Sequence, residues 1–157
     1  MAEQQTYGFG RGWLALTVAF ALHVLDEAST GFLDIYNPTV AAMRARFAWF
    51  PMPAFAFREW LVGLIIAVAI CLSLTPLAYR NLRGLRPLAW LYALVMLLNA
   101  IGHTATTIMG HTVANVTFAR PAPGFYSSPF LLIGSVWLIL QLRKTKFSRN
   151  LAPAVTV

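Results

Sequence analysis

Charge is scarce in this chain, in which only 11% of the residues are Asp, Glu, Lys or Arg. A typical soluble domain is nearer a quarter charged, so the composition excludes an ordinary soluble domain. Acidic residues are the scarcer kind, with five Asp and Glu against twelve Lys and Arg, whereas 59% of the chain is hydrophobic. The sequence therefore predicts one membrane domain over residues 1–157, with the lipid bilayer as its main partner.

Cysteine is almost absent, because the chain has only Cys71. A single cysteine excludes an internal disulfide and says nothing about the redox compartment. The formal net charge of +7 would suggest nucleic acid as a partner for a soluble protein. Here the basic residues fall at the ends of apolar runs, as membrane topology requires, so no nucleic-acid binding is predicted.

Four apolar runs approach or reach the length of about 20 residues that crosses a bilayer. They predict an all-α fold, a four-helix transmembrane bundle. The spans are expected at about 12–30, 54–79, 87–110 and 125–142. Pro87 supports the start of the third span, since proline is favoured in the first turn of a helix.

The connection at 31–53 is long for a helical bundle. Pro38, Pro51 and Pro53 argue against a further span in it. The part Thr39–Phe50 combines basic and aromatic residues, so it could form an amphipathic helix lying on the membrane surface.

Basic residues set the expected orientation. They are more frequent at the chain ends and in the connection at 80–86 than in the connections on the other side. Because cytoplasmic loops carry an excess of Lys and Arg, both termini are predicted to be cytoplasmic. The expected location is the bacterial inner membrane, crossed several times.

A polar cluster interrupts the first apolar run. His23 and Glu27 are four residues apart and so share one face of a helix, with Asp26 beside them. Ionisable side chains are costly in hydrocarbon, and they are usually kept where they pair, bind a ligand or line a cavity. These residues therefore predict a functional site that needs partners from other helices.

The antiparallel order of the spans supplies such partners. It brings Glu59, early in the second span, and His103, in the outer half of the third, to the depth of Glu27. Imidazole and carboxylate together suit a divalent zinc, iron or manganese ion, and bundle sites are built from inward side chains on facing helices. The predicted metal ligands are His23, Asp26, Glu27, Glu59 and His103. Asn99, one turn below His103, is expected to orient that imidazole and so to assist cofactor binding.

Simpler interpretations remain open for each residue. His23 and Glu27 could be a hydrogen-bonded pair that fixes helix packing, and Asp26 could pair with Arg58. Glu59 could merely stabilise a helix N-terminus, where acidic side chains are favoured. His111 lies at a helix end near water, and its membership of the site is left open.

Two of these stretches resemble a known family. The segment His23-Val-Leu-Asp-Glu27 resembles the HXXEE signature of a family of small bacterial integral membrane proteins, and Asn99-Ala-Ile-Gly-His103 is similar to its second polar motif. The Pro-Gly turn that ends at Gly124 is similar to the turn before the family's last span. The resemblance covers roughly 13–142, with Asp26 in place of the family's first Glu. It implies a metal-binding or acid/base site in a four-helix membrane protein, and it implies no substrate.

The leading functional interpretation is a membrane enzyme that acts on a lipophilic small molecule. A bound metal would polarise the substrate or activate water, and without metal Glu27 or Glu59 would act as general acid and base together with His23 and His103. Hydrolase, isomerase and oxidoreductase chemistry are not separated by the sequence. The alternatives are a protein that binds or transports a metal, ion or small lipophile, and an accessory subunit of a membrane complex.

Overall fold

The described part of the chain is helical. The computed structural model describes residues 2–113 and 116–150, and the side chains of 8–113 and 116–144. The helices are α1 (Ala2–Ser29), α2 (Phe32–Arg46), α3 (Phe57–Ser73), α4 (Thr75–Tyr79), α5 (Leu85–Met109) and α6 (Ser128–Asn150). Extended pairing within these residues is limited to one isolated bridge between His111 and Thr117. The expected all-α class is therefore confirmed.

Three helical stretches are long and apolar enough to cross a membrane. They are Gly8–Ser29, Phe57–Tyr79 and Leu85–Met109, which correspond to the first three predicted spans. Helix α6 lies where the fourth span was expected, but its described residues are not among these stretches. The coarser expectation of a helical protein with membrane-spanning helices is met, and the fourth span stays a prediction.

Helix α1 is the centre of the packing. It contacts α3 and α4 on one side and α6 on another, while α5 packs mainly against α6. Glycine permits the close approach of α1 and α6, since a Cβ at Gly134 would lie 3.1 Å from the Cα of Leu16. The core below the polar cluster includes Trp13, Leu16 and Leu131, each with no exposed surface.

Two predicted boundaries shift in the structure. Helix α1 starts at Ala2, well before the expected start near residue 12. The second predicted span starts later, at Phe57, and is interrupted between α3 and α4. Pro76 lies in the first turn of α4, where it lacks the N–H that would continue the α3 hydrogen-bond ladder.

The 31–53 connection contains a longer helix than predicted. Gly31 adopts a left-handed conformation (φ 75°) that separates α1 from α2, and α2 then runs from Phe32 to Arg46 with Pro38 inside it. The expected helix Thr39–Phe50 was therefore placed too late. Asn37 fixes α2 to the following segment, because its side chain donates to the Phe55 carbonyl (2.9 Å) and accepts from the Phe55 N–H (3.1 Å).

The connection between α5 and α6 folds back over α1. Gly110 ends α5 in a left-handed conformation (φ 74°), the Arg120–Pro121 peptide is cis, and Gly124 has φ 80°. Helix α6 begins at Ser128, three residues after the expected start. This connection brings Gly124 and Ser127 against the polar cluster of α1.

Candidate metal site

Three ionisable side chains meet between α1 and α5. His23 and Glu27 come from α1 and His103 from α5, and one ligand atom of each lies within 4.8 Å of the others. Oε1 of Glu27 lies 3.1 Å from Nε2 of His103 and 3.4 Å from Nε2 of His23. All three are buried: His23 is 0% exposed, Glu27 5% and His103 8%. A buried carboxylate oxygen thus faces two imidazole nitrogens.

The donor atoms fit a divalent metal ion. Zinc bonds to imidazole nitrogen and carboxylate oxygen are about 2.0–2.2 Å, which separates neighbouring ligands of a tetrahedral site by about 3.3–3.6 Å. The two Glu27–imidazole distances lie at or just below the lower end of that range, and all three ligand atoms lie within 4.8 Å of one another. Two histidines and one carboxylate are also a ligand set used by catalytic zinc and by non-haem iron, with positions left open for other ligands.

The two imidazole rings are held by close packing. Their centroids are 4.8 Å apart in an edge-to-face arrangement, and the Phe32 ring lies 5.8 Å from that of His103. Gly124 covers the cluster, and a Cβ at this position would lie 2.8 Å from Cε1 of both His23 and His103. Only glycine leaves room for both rings here.

Ser127 connects this cluster to Asp26. Its Oγ lies 2.7 Å from Nδ1 of His23 and 2.8 Å from Oδ2 of Asp26, and its backbone N–H donates to the same Asp26 oxygen at 2.8 Å. Asp26 is therefore engaged with Ser127, and it is not a member of the ligand group. Sequence reasoning missed Ser127, and the only local signal was its position just after the Pro-Gly turn.

Asn99 contacts a different imidazole from the one expected. Its Nδ2 lies 3.1 Å from Nε2 of His23, whereas the sequence suggested that it would orient His103. Asn99 and His103 are one helical turn apart on α5, so both face α1. The α1 side chain that the Asn99 amide contacts is His23.

Glu59 and His111 lie outside the ligand group. Glu59 is exposed in the first turn of α3, because the neighbouring Trp60 takes the inward position, 8% exposed and stacked 5.7 Å from Phe32. Its position suits an acidic residue at a helix N-terminus, and the geometry does not support it as a metal ligand. His111 is also exposed, with Nδ1 2.9 Å from the Thr112 carbonyl oxygen.

A pocket of about 220 Å³ reaches the cluster at Asn99 and His103. Both long connections contribute walls, α2 through Phe32 and Tyr36 and the 110–127 connection through residues such as Phe118. The Tyr36 hydroxyl donates to the Pro53 carbonyl at 3.0 Å, and burial raises the pKa of this phenol, with Arg44 opposing the shift. Most of the pocket wall is apolar, with side chains such as Phe32, Leu98 and Phe118, and the imidazole of His103 is one of its few polar groups.

Comparison with known proteins gives no further assignment. No family model, curated protein or solved structure matches the chain.

Proposed function

We propose that His23, Glu27 and His103 bind a divalent metal ion in a membrane enzyme that acts on a lipophilic substrate. The observation that carries the proposal is the buried Glu27 oxygen, 3.1 and 3.4 Å from two imidazole nitrogens. Two imidazoles and a carboxylate bring lone pairs and negative charge to one point, which is the environment that favours a bound cation. Zinc, iron and manganese all accept these ligands.

The pocket supports a substrate that is largely apolar. Its walls include Phe32, Ile35, Leu98 and Phe118, and His103 lies at its edge. A hydrocarbon segment would pack against these side chains while a polar group reaches the metal ligands. The ion would supply Lewis-acid chemistry to that polar group or to water. The pocket volume of about 220 Å³ suits a short segment rather than a whole lipid chain.

Transport is the weaker alternative. Beyond the cluster, towards the start of α1, the interior is filled by Trp13, Leu16 and Phe20, and Leu131 of α6 packs into the same core. This packing favours a pocket that is closed at its inner end over a path through the bundle. A protein that holds a metal or small lipophile without turnover would use the same residues, as would acid/base catalysis by Glu27 without metal.

Metal binding is tested with paired variants. We expect purified wild-type protein in detergent to bind one Zn²⁺ per chain, and His23→Ala, His103→Ala and Glu27→Gln to lose it. The controls are His111→Ala and Glu59→Gln, which remove an exposed imidazole and an exposed carboxylate outside the group. Both controls should bind Zn²⁺ as the wild type does.

Elemental analysis and titration with Zn²⁺ would decide the matter. A wild-type protein without affinity for Zn²⁺, Mn²⁺ or Fe²⁺ would exclude the metal site. Loss of binding in Glu59→Gln alongside retention in Glu27→Gln would show that the ligands had been assigned wrongly.

Turnover is tested on a bacterial lipid extract. Metal-loaded wild-type protein should convert one lipophilic species to a product detectable by mass spectrometry, and the His103→Ala protein should not. A species that co-purifies with the protein but is never converted would favour binding over catalysis.

Family and location belong to the same proposal. The order His23–Glu27, Asn99–His103 and the Pro-Gly turn at 121–124 supports a divergent member of the HXXEE family, with Asp26 as its departure. The basic residues of the connection at 80–86 support cytoplasmic termini in a bacterial inner membrane, with α6 as the fourth span.

A further inference from the structure

We propose that Ser127 and Asp26 form a positioning chain. It holds the His23 proton on Nδ1 and directs the Nε2 lone pair towards the proposed metal position, beside Glu27 and His103. The inference rests on the proposed metal site for its purpose, but the chain of hydrogen bonds can be tested without metal. Neither residue touches the ion in this scheme. Both act through His23.

The hydroxyl of Ser127 has one proton and three polar neighbours. Asp26 Oδ2 lies at 2.8 Å, His23 Nδ1 at 2.7 Å and the Gly124 carbonyl oxygen at 3.2 Å. A carboxylate and a carbonyl only accept hydrogen bonds, whereas a neutral imidazole nitrogen can donate or accept. The hydroxyl proton therefore goes to an oxygen, with the Asp26 carboxylate as the closer and charged acceptor.

This assignment decides the proton of His23. Since the Ser127 proton is directed at Asp26, the short contact between Ser127 Oγ and His23 Nδ1 is favourable only if Nδ1 donates. The opposite tautomer would leave the Asp26 oxygen facing a hydroxyl lone pair at 2.8 Å. The network thus assigns Nδ1–H, and in the neutral ring that can bind a metal the lone pair is then on Nε2.

The lone pair on Nε2 faces an amide nitrogen and a carboxylate oxygen. The Asn99 amide nitrogen, 3.1 Å away, can donate to it, and Glu27 Oε1 lies at 3.4 Å without a proton to offer. In the metal-free protein the Asn99 N–H satisfies this lone pair, and a bound cation would take its place between Nε2 and the Glu27 oxygen. Metal-binding histidines commonly have the other ring nitrogen bonded to a carboxylate, carbonyl or water, which fixes the tautomer. Here the Ser127 hydroxyl, which is hydrogen-bonded to the Asp26 carboxylate, contacts the other ring nitrogen, Nδ1.

Ser127 offers a selective test because its backbone has a separate role. The Ser127 N–H also donates to Asp26 Oδ2, so Ser127→Ala removes the link to His23 while it keeps that anchor of the loop. Ser128 is the matched control. It is buried next to Ser127, and its hydroxyl donates to the Gly124 carbonyl at 2.8 Å.

The experiment measures the His23 tautomer and the affinity for Zn²⁺. In metal-free wild-type protein labelled with ¹⁵N-histidine, NMR should show a protonated Nδ1 and an unprotonated Nε2 for His23. In Ser127→Ala the proton should move to Nε2, where Glu27 can accept it. The Zn²⁺ affinity should then fall by about 10- to 100-fold, the usual loss when a group that orients a ligand is removed.

Ser128→Ala should keep both the wild-type tautomer and the wild-type affinity, and Ser127→Thr, which retains a hydroxyl, should keep the tautomer. Protonated Nε2 in the wild type would overturn the proposal, as would a Ser127→Ala protein with unchanged tautomer and affinity. If the tautomer moves as expected but the wild type binds no Zn²⁺, the positioning chain stands and the metal proposal fails.

Discussion

Gly124→Ala is the sharpest single test of the site geometry. The Cβ of alanine would lie 2.8 Å from Cε1 of His23 and of His103, and 2.9 Å from Nδ1 of His103. Ordinary contacts begin near 3.4 Å, so each ring must retreat by about 0.6 Å. Both rings are buried, and they pack against each other at 4.8 Å, so neither can move alone.

Two costs follow from this one methyl group. Alanine at φ 80° costs about 1–2 kcal/mol of folding stability, because its Cβ crowds the backbone in the left-handed region. The ring displacement is a separate cost to metal binding. Ligand distances in metal sites are held to about 0.2 Å, so a shift three times as large should lower the Zn²⁺ affinity by about 10- to 100-fold.

Titration with Zn²⁺ and thermal unfolding in detergent separate these costs. Gly110→Ala is the control for the backbone, because Gly110 also has positive φ (74°) but the atoms nearest to its Cβ would be those of the flexible Arg120 side chain. It should lose stability and keep its Zn²⁺ affinity. Gly102→Ala is the control for helix α5, since a Cβ there meets nothing within 4 Å, and it should gain about 0.5–1 kcal/mol.

A Gly124→Ala protein with wild-type Zn²⁺ affinity would contradict the assigned packing of Gly124 against the two imidazoles. Equal losses of affinity in Gly124→Ala and Gly110→Ala would also refute it, because the effect would then come from backbone strain rather than from the two imidazoles.

Two further predictions concern the pocket and α2. Gly102→Phe should fill the pocket and abolish conversion of the lipophilic substrate without lowering Zn²⁺ affinity, since Gly102 lines the pocket and has open space around it. Gly63→Phe, on α3 with similar open space, should leave turnover unchanged. Asn37→Ala removes two hydrogen bonds to Phe55 and should cost about 1–3 kcal/mol. Hydrogen exchange at the Phe55 amide should accelerate in Asn37→Ala but much less in Asn37→Asp, which keeps the acceptor. An unchanged exchange rate in Asn37→Ala would contradict this account.

Part of the site was accessible from the sequence. His23 and Glu27 are four residues apart in a helical run, so their shared face follows from helix periodicity alone. Antiparallel spans also give the depth of each residue, and this brought His103 to the level of Glu27. These three residues are the group that could hold a metal ion in the structure.

The prediction that Glu59 is a metal ligand considered only its depth in the membrane, and it is not supported by the structure. Glu59 lies early in its helix as expected, yet the rotation of α3 turns Trp60 inward and leaves Glu59 exposed. Neighbouring residues on a helix point about 100° apart, so the rotation of α3 about its axis decides which of two neighbours is buried and which is exposed. Nothing local in the sequence fixes that rotation.

The sequence by itself determined the helical class, the apolar stretches long enough to cross a membrane and the pairing of His23 with Glu27, because these depend on composition and on contacts within one helix. Only the tertiary structure decided that Gly124 covers two imidazoles and that Ser127 joins His23 to Asp26. Ser127 is 101 residues from Asp26 in sequence. Such contacts depend on how α1, α5 and α6 pack and on the path of the connection between α5 and α6. That path is set by the packing of all these helices rather than by the residues that it brings together.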